Sequence, residues 1–378
     1  MNECDDAMDT IELLMNMIRI PSFSREEGQA ADFLEEWMRR EGLDVRRTGN
    51  NLWMESCPDD GRPTVLLNAH FDTVRPASGY TRDPFSPTLE DGCLYGLGSN
   101  DDGGSLVALL EAYSRLVAKR QPHQIGSPSH PPQPYRLVFS ATAEEEVSGK
   151  GGLDMLLPEL GRIDFGIIGE PTGMRMAVAE RGLMVLDCTS FGVSGHAARN
   201  EGVNAIYKAL EDIQWFKNHS FDRVSDFLGP VRMSVTQISA GTQHNVVPDR
   251  CSFVVDVRPN GMYTNPELLA MIKSSVSCEV KERSTRIGSS HLPMDHPVVT
   301  RGLSLGLEPF GSPTTSNQAL CGFPTLKIGP GDSARSHSAD EYVRLDEISH
   351  GVETYVALLD GNTSFVVSPR NAKTPKGC

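Results

Sequence analysis

The chain has 378 residues, which is enough for a large core and for two domains. Its 35 Lys and Arg residues are outnumbered by 50 Asp and Glu residues, which gives a formal net charge of −15. This balance argues against a nucleic-acid backbone or an anionic membrane surface as a partner. We therefore expect small molecules or other proteins as partners.

The first residues and the cysteines predict the compartment. The stretch MNECDDAMDT is acidic and lacks the apolar segment of a signal peptide, and no apolar run in the chain is long enough to span a bilayer. Eight cysteines are scattered along the chain without a C-x-x-C pair, which favours free thiols in a reducing compartment. We expect a cytoplasmic protein.

The first half of the chain predicts an α/β domain. Ser24-Arg25-Glu26-Glu27 has the pattern of a capping box, and apolar residues at helical spacing follow it as far as Gly42. Strands are predicted at about 51–56, 64–71, 135–143 and 165–170, with helices at about 102–119 and 150–160. Strands that alternate with helices imply a sheet that is at least partly parallel. Residues 121–134 contain five prolines and predict a surface loop, whose two histidines are more typical of solvated residues than of a metal site.

From about residue 180 the order of elements changes. The pattern predicts a strand, a helix, two strands, a helix and a strand, which is the βαββαβ order of a ferredoxin-like unit. After about residue 293 a strand at 325–329 and a helix at 345–360 resume the earlier pattern. The predicted organisation is a main domain at 1–179, an insert at 180–291, the rest of the main domain at 292–361 and a tail at 362–378.

The stretch VLLNAHFDTVRP ends a predicted buried strand with His70 and Asp72. Residues two apart in a strand lie on the same face, so a carboxylate can orient the imidazole of a metal ligand. A capping Asp beside a surface His is the alternative interpretation of this short pattern.

Four further stretches bring acidic or imidazole groups to strand ends and adjacent turns. They are YGLGSNDDGGSL with Asp101, FSATAEEEVSGKGG with Glu144, Glu145 and Glu146, FGIIGEPTG with Glu170, and SARSHSADEYV with His337. Taken singly, these stretches are also explained by a helix N-cap, a solvated acidic turn and a polar loop. Together they favour a ligand site at the carboxyl ends of parallel strands, with donors suited to two divalent ions such as Zn²⁺, Co²⁺ or Mn²⁺.

The order of these motifs resembles the M20 family of dinuclear metallohydrolases. H-x-D, G-x-G-x-x-D, E-E-x-x-G, G-E-P-T and S-H-x-x-D-E follow one another as in that family, and the similarity covers nearly all of residues 5–361. The family includes acetylornithine deacetylases, succinyl-diaminopimelate desuccinylases, carboxypeptidases and dipeptidases. The resemblance implies a mixed-sheet zinc-hydrolase catalytic domain with an inserted ferredoxin-like lid, which would also form a homodimer.

The resemblance also implies a set of metal ligands. His70 and Glu170 would bind one ion, Glu146 and His337 would bind the other, and Asp101 would bridge the two.

Further roles follow from the same resemblance. Asp72 would orient His70, and Glu145 would act as general acid and base outside the coordination shell. In the lid, His196 would reach the active site of the neighbouring subunit and stabilise the oxyanion.

Other residues would contact the substrate. By resemblance these are Asn245 and Arg258, together with Arg181 in AERGLMV and Thr315 in SPTTSNQ. Asn245 could instead hold the turn before Pro248, and Arg258 could be a surface charge at a strand end.

The sequence departs from the family pattern at Leu97, where many members have Arg, at Asp102-Gly103-Gly104 and at Asn317, where Asp is common. With AERGLMVLD and KIGPGDSARSHSADEYV, these features resemble the acetylornithine deacetylase branch, including enzymes that deacylate N-acetyl or N-succinyl forms of ornithine or citrulline. We expect an arginine-biosynthesis deacylase; a dipeptidase or exopeptidase, a succinyl-diaminopimelate desuccinylase and a non-catalytic binding scaffold are the alternatives.

Overall fold

The computed structural model describes residues 9–118, 134–199 and 201–360. These residues divide into two compact units. Unit 1 contains the described residues up to Val178, those from Leu292 to Pro309 and those from Ser316 onward, and unit 2 contains Ala179–His291 and Phe310–Thr315. The predicted tail and the proline-rich segment up to residue 133 lie outside the described residues.

The strands are numbered along the chain. They are β1 (Arg46–Thr48), β2 (Asn51–Glu55), β3 (Thr64–His70), β4 (Thr88–Glu90), β5 (Cys93–Tyr95), β6 (Arg136–Thr142), β7 (Phe165–Ile168), β8 (Met176–Glu180), β9 (Met184–Phe191), β10 (Gly195–His196), β11 (Arg232–Ala240), β12 (Val246–Val247), β13 (Arg250–Arg258), β14 (Glu279–Glu282), β15 (Ser290–His291), β16 (Pro309–Ser312), β17 (Thr325–Lys327) and β18 (Tyr342–Arg344).

The helices are numbered in the same way. They are α1 (Thr10–Ile18), α2 (Gly28–Arg40), α3 (Gly104–Ala118), α4 (Leu153–Leu160), α5 (Ala205–Asn218), α6 (Asn265–Ser275), α7 (Pro297–Ser304) and α8 (Leu345–Leu359). A π-helical turn, Ser99–Gly103, leads into α3.

The main sheet of unit 1 has the strand order β1-β2-β6-β3-β7-β17-β8. Its centre is parallel, because β3 pairs parallel with both β6 and β7, and β17 pairs parallel with β7. All residues of β3 and β6 are buried, as expected for strands covered on both faces. Leu66 and Val138 pack against Leu156 and Leu160 of α4, and α3 also packs on β3 and β6. The parallel centre brings the carboxyl ends of β6, β3, β7 and β17 to the same edge of the sheet.

Unit 2 contains the predicted βαββαβ order in β9, α5, β11, β13, α6 and β14. Its four-stranded sheet is antiparallel, with the order β11-β13-β9-β14. Buried residues alternate with more exposed ones along β9 and β13, so one face of the sheet forms the core of unit 2. The predicted fold class, a mixed α/β fold with a ferredoxin-like insert, is confirmed.

The structure adds one segment to the predicted insert. Residues 310–315 were expected in the main domain, but they belong to unit 2. The Arg181 backbone N–H donates to the Ser312 carbonyl at 3.2 Å, and the Thr315 hydroxyl donates to the Arg181 carbonyl at 3.1 Å. These bonds attach the segment to unit 2 although it follows the insert in the chain.

The predicted capping box at Ser24 is wrong. Helix α2 begins at Gly28, and its N-cap residue, Glu27, makes no side-chain capping bond. The Ser24 hydroxyl donates to Asp72 Oδ2 at 2.7 Å, and Glu27 Oε1 accepts the backbone N–H of Glu144 at 3.2 Å. The Ser24 hydroxyl therefore bonds to a tertiary partner, and Glu27 Oε1 accepts the Arg25 N–H at 2.6 Å and not the Ser24 N–H that a capping box requires.

Some short elements were not predicted. They are the helices α1 and α7, the strands β1, β8, β10, β12, β15 and β16, and the three-stranded sheet β18-β5-β4. Strands of three residues are too short to reveal a period in the sequence. Within the described ranges, no helix combines the length and the apolar character needed to cross a membrane.

Candidate metal centre

The predicted ligand groups lie at the carboxyl ends of parallel strands in unit 1. His70 is the last residue of β3, Glu145 and Glu146 follow β6, and Glu170 follows β7. Because β3 lies between β6 and β7, the turns after these strands are adjacent. The sheet therefore collects side chains that are up to 100 positions apart in the sequence, as Glu170 is from His70.

Two groups of potential ligand atoms share the imidazole of His70. One is His70 with Glu145 and Glu170, and the other is His70 with Asp101 and Glu146; within each group the ligand atoms lie within 4.8 Å of one another. His70 Nε2 is 3.2 Å from Asp101 Oδ1 and 3.9 Å from Glu145 Oε2. Asp101 comes from the π-helical turn before α3.

His337 joins the second group from a different part of unit 1. Its Nε2 is 3.0 Å from both carboxylate oxygens of Glu146 and 3.6 Å from Asp101 Oδ2. The residue has a φ of 56°, in the left-handed region. The structure thus brings together all five residues that the resemblance implied as metal ligands.

Asp72 connects His70 to the turn after β6. Its Oδ1 is 3.5 Å from His70 Nδ1, and its backbone carbonyl is 3.0 Å from the same nitrogen. The carboxylate also accepts the backbone N–H groups of Glu145 at 3.0 Å and Glu146 at 3.2 Å, besides the Ser24 hydroxyl. A proton on Nδ1 leaves the Nε2 lone pair free for a metal ion.

The electrostatics of this cluster favour a bound cation. Burial raises the pKa of the Glu145 carboxyl well above its usual value, and the neighbouring carboxylates of Glu146 and Asp72 raise it further, whereas His70 lowers it. Burial likewise raises the pKa of Glu170, and the charges of Glu145 and Asp101 add to this effect. Carboxylates that are buried side by side repel one another unless a positive charge compensates them.

The pKa of the His70 imidazole is also raised, but by hydrogen bonds to carboxylates and not by burial. Burial lowers the pKa of its imidazole, but hydrogen bonds to Asp101 and Asp72 outweigh burial, and the net pKa is well above the usual value. A proton on His70 is thus one source of positive charge, and a divalent ion that displaces this proton is a stronger one. Imidazole nitrogen and carboxylate oxygen are the donors that Zn²⁺, Co²⁺ and Mn²⁺ accept, so the residues present fit two such ions.

Two residues that the sequence interpretation did not assign hold the Asp101 turn. Glu341 is 2 % exposed, and its Oε1 accepts the backbone N–H groups of Asn100 and Asp101, both at 2.9 Å. The Asn100 amide donates to the Asp332 carbonyl at 3.1 Å and to Ser336 Oγ at 3.2 Å, and its Oδ1 accepts the Asp332 N–H at 3.0 Å.

These bonds join the Asp101 turn to the loop that carries His337. Burial raises the pKa of Glu341 to about 8, and the charge of Asp101 adds to the effect. The only signal in the sequence was the final D-E of the S-H-x-x-D-E motif, to which no role was given.

Asn317, which stands where Asp is common in the family, forms hydrogen bonds inside unit 1. Asn317 is buried, and its amide donates to Asn68 Oδ1 and Thr142 Oγ1, both at 3.1 Å. The Asn68 amide in turn donates to Ser140 Oγ at 3.0 Å. Asn317 therefore belongs to a buried polar network that joins β3 to β6 before these strands reach the metal centre.

Unit 2 carries His196 and Asn245. His196 lies in β10, which pairs with β12, and its exposed imidazole accepts the Ala198 backbone N–H at Nδ1, at 3.2 Å. Asn245 is also exposed, and its backbone carbonyl accepts the Ala197 N–H at 3.0 Å. The predicted roles of both side chains in substrate binding or catalysis stay predictions.

The remaining predicted substrate contacts also lie in unit 2. Arg258 Nη1 is 3.4 Å from Thr315 Oγ1. The guanidinium of Arg181 is buried and donates to the carbonyls of Pro230 at 3.0 Å, Arg258 at 3.2 Å and Leu228. These bonds give Arg181 a structural function that the sequence did not indicate, and its predicted contact with substrate stays a prediction.

The family is decided by comparison with known proteins. The model of peptidase family M20/M25/M40 matches residues 66–361. The chain belongs to this family. It is therefore a hydrolase of amide or peptide bonds from a metal-dependent family, and the predicted M20 relationship is confirmed.

Individual known proteins also resemble the chain. Succinyl-diaminopimelate desuccinylase 2 of Ruegeria sp. (strain TM1040) is 26% identical over 305 residues, which cover 75% of this chain and 74% of the relative. The structure of aminopeptidase PepT from Bacillus cereus ATCC 10987 matches with a TM-score of 0.73 at 19% identity, covering 94% of this chain and 98% of that one. The YXEP protein of Bacillus subtilis, described as a dinuclear metal binding peptidase of family M20, matches with a TM-score of 0.68 at 13% identity over 93% and 96% of the two chains. These structural similarities support the fold.

We predict that Glu341 positions the Asp101 turn. Glu341→Ala should weaken binding of the ion expected at Glu146 and His337 at least about tenfold. The reason is that two backbone N–H groups of the Asp101 turn lose a charged acceptor. Glu341→Gln keeps one acceptor oxygen and should retain most of the affinity. Titration of metal-depleted protein with Zn²⁺ measures both effects. Glu347→Ala, which removes a carboxylate paired with Arg335 at 2.7 Å, is the control, and equal losses in the Glu341→Ala and Glu347→Ala variants would contradict the prediction.

Proposed function

We propose that this M20 enzyme hydrolyses the amide bond of an N-acyl amino acid and releases the free amino acid. The expected substrates are N-acetyl or N-succinyl forms of ornithine or citrulline, which would place the enzyme in arginine biosynthesis. The observation that carries the proposal is the juxtaposition of the Glu145 carboxyl, whose side chain is 11% exposed, with the His70 and Glu170 side chains. A proton acceptor beside metal-ligating groups is what amide hydrolysis requires.

Five residues would hold two divalent ions. His70 and Glu170 would bind one ion, Glu146 and His337 the other, and Asp101 would contact both. When bound, the two ions would lower the pKa of a water molecule and polarise the amide carbonyl. Two observations support this assignment: His337 Nε2 lies 3.0 Å from the Glu146 carboxylate, and the similar YXEP protein is a dinuclear metal binding peptidase.

Glu145 would move the proton. Its backbone N–H is fixed by Asp72, while its side chain lies 3.9 Å from His70 Nε2. A carboxylate here can take a proton from the attacking water and deliver it to the leaving nitrogen.

Peptide hydrolysis is the second candidate, because the similar structure from Bacillus cereus is named an aminopeptidase. The curated relative, a desuccinylase, favours N-acyl substrates instead. A non-catalytic binding scaffold is the least suited to the site, since binding alone needs no base beside the metal ligands. A panel of N-acyl amino acids and dipeptides, assayed with Zn²⁺ or Co²⁺, distinguishes the three candidates.

Removal of the metals should abolish turnover. Exhaustive chelation is expected to leave an inactive protein, and addition of Zn²⁺, Co²⁺ or Mn²⁺ should restore activity, with full recovery near two ions per chain. Elemental analysis alongside the rate assay measures this relation. Fully active protein that contained clearly less than one ion per chain would rule the proposal out.

A second prediction separates chemistry from metal binding. Glu145→Gln should bind metal as the wild type does, yet lose roughly 10²- to 10⁴-fold in kcat, because the amide cannot accept the proton. Glu144→Gln, a change in the same turn at a residue outside both ligand groups, is the control and should stay near wild type. Normal turnover by Glu145→Gln would refute the assignment.

We further propose that the chain forms a homodimer through unit 2, the predicted lid. His196 of one chain would then stabilise the oxyanion in the active site of the partner chain. Mixing Glu145→Ala with His196→Ala, each inactive alone, should restore activity when subunits exchange. A mixed dimer would then contain one site with both groups intact. Full exchange, demonstrated by differently tagged chains, without any recovery of activity would show that His196 acts within its own chain or not at all.

A further inference from the structure

Each of the four backbone N–H groups of residues 143–146 donates to a side-chain oxygen from another segment of unit 1. Asp72 accepts the last two. The first donates to Asn51 Oδ1 at 3.0 Å, and the second donates to Glu27 Oε1 at 3.2 Å. A backbone N–H that bonds to a side chain, and not to a neighbouring strand, takes its position from that side chain. Three side chains therefore hold the turn that carries the proposed base, and two of them have had no role so far.

Glu27 is itself held in one orientation. The residue is 1% exposed, and its Oε1 also accepts the Arg25 backbone N–H at 2.6 Å. Its Oε2 accepts the side-chain amide of Asn50 at 3.3 Å. A buried carboxylate that has several donors is a strong acceptor, so its removal would leave the Glu144 N–H without this partner.

Asn51 joins the two ends of the loop formed by residues 143–151. Its buried side chain accepts the N–H of residue 143 and donates from Nδ2 to the Gly151 carbonyl at 2.7 Å. Within the loop, the Ser148 N–H donates to the Glu145 carbonyl at 2.7 Å. The backbone of Glu145 is therefore held through the ends of its loop as well as through its own N–H.

The position of the Glu145 carboxylate depends on this backbone. Its Oε2 lies 3.9 Å from His70 Nε2, and a general base must lie within hydrogen-bond reach of the proton that it takes. We propose that Glu27 and Asn51 are positioning residues, which hold the Glu145 carboxylate within reach of the attacking water. The inference rests on the proposed function, because it concerns the base of the same site.

Removal of the Glu27 carboxylate should slow the chemical step. Glu27→Ala is expected to lower kcat about 10- to 100-fold and to leave KM within about twofold, because a small displacement of the base costs rate and not ground-state binding. Glu27→Gln keeps an oxygen that can accept both backbone N–H groups, and its kcat should stay within about threefold of wild type. The assay uses whichever N-acyl amino acid or dipeptide the wild-type enzyme hydrolyses.

Metal analysis accompanies the rates. The metal content of Glu27→Ala should equal that of wild type, because Asp72 still accepts the N–H of the expected ligand Glu146. A loss of metal that accounts for the lost rate would overturn the inference, since the side chain would then serve the metal ligand and not the base.

Glu26→Ala is the matched control. Glu26 is the preceding residue, and its exposed carboxylate pairs with Arg75 at 2.7 Å. An exposed ion pair contributes little, so kcat should stay within about twofold of wild type. Equal losses in Glu26→Ala and Glu27→Ala would count against a specific role of Glu27.

A double-mutant cycle distinguishes positioning from a general loss of structure. If Glu27 acts through Glu145, adding Glu27→Ala to Glu145→Gln should lower kcat by no more than about twofold further, because the positioned group is already disabled. A further loss as large as in the wild-type background would overturn the inference. If Glu27→Ala does not fold, Glu27→Asp takes its place in the cycle, because its shorter side chain withdraws the carboxylate from the Glu144 N–H.

Amide hydrogen exchange tests the same contacts without turnover. Peptides that cover residues 143–151 should exchange faster in Glu27→Ala than in wild type, and Glu26→Ala should match wild type. If Glu145→Gln turns over normally, the proposed role of Glu145 fails, and exchange alone decides whether Glu27 holds the turn. Unchanged exchange in Glu27→Ala overturns the inference and leaves the proposed function standing.

Discussion

The candidate metal centre depends on the hydrogen bonds that the Asp72 carboxylate accepts. This fully buried group contacts His70 at the end of β3 and accepts the backbone N–H groups of Glu145 and Glu146 after β6. It also accepts the hydroxyl of Ser24, from the segment before α2. One residue therefore orients the imidazole of a proposed metal ligand and holds the turn that carries the proposed base. A buried carboxylate is stable there because four donors surround it.

A second set of bonds holds the other half of the centre. Glu341 and Asn100 tie the Asp101 turn to the loop of His337, while the parallel strands fix His70 and Glu170. Hydrogen bonds from outside the cluster thus position the Asp101 turn and the loop that carries His337. The arrangement keeps several carboxylates close together in a buried site, and divalent cations are the natural compensation for their charge.

The sequence predicted much of this architecture because the relevant signals are local. The apolar runs of β3, β6 and β7 and the alternation along β9 and β13 show the strands directly, and His70, Glu146 and Glu170 stand at or just after the ends of the apolar runs. The position of Glu341 against the backbone of Asn100, 241 residues away, has no local signal. The same holds for Ser24, whose partner lies 48 residues later and displaces the capping box that the pattern predicted. Hydrogen bonds between distant segments are set by the tertiary fold, which a local pattern does not report.

The central claim is that the strand ends of unit 1 hold two divalent ions. Crystals grown with Zn²⁺ and measured at the zinc absorption edge test it most directly. The account predicts two anomalous peaks about 3.5 to 4 Å apart, one beside His70 and Glu170, the other beside Glu146 and His337, with Asp101 contacting both. A single peak, or peaks that lie only at surface histidines away from His70, would contradict it.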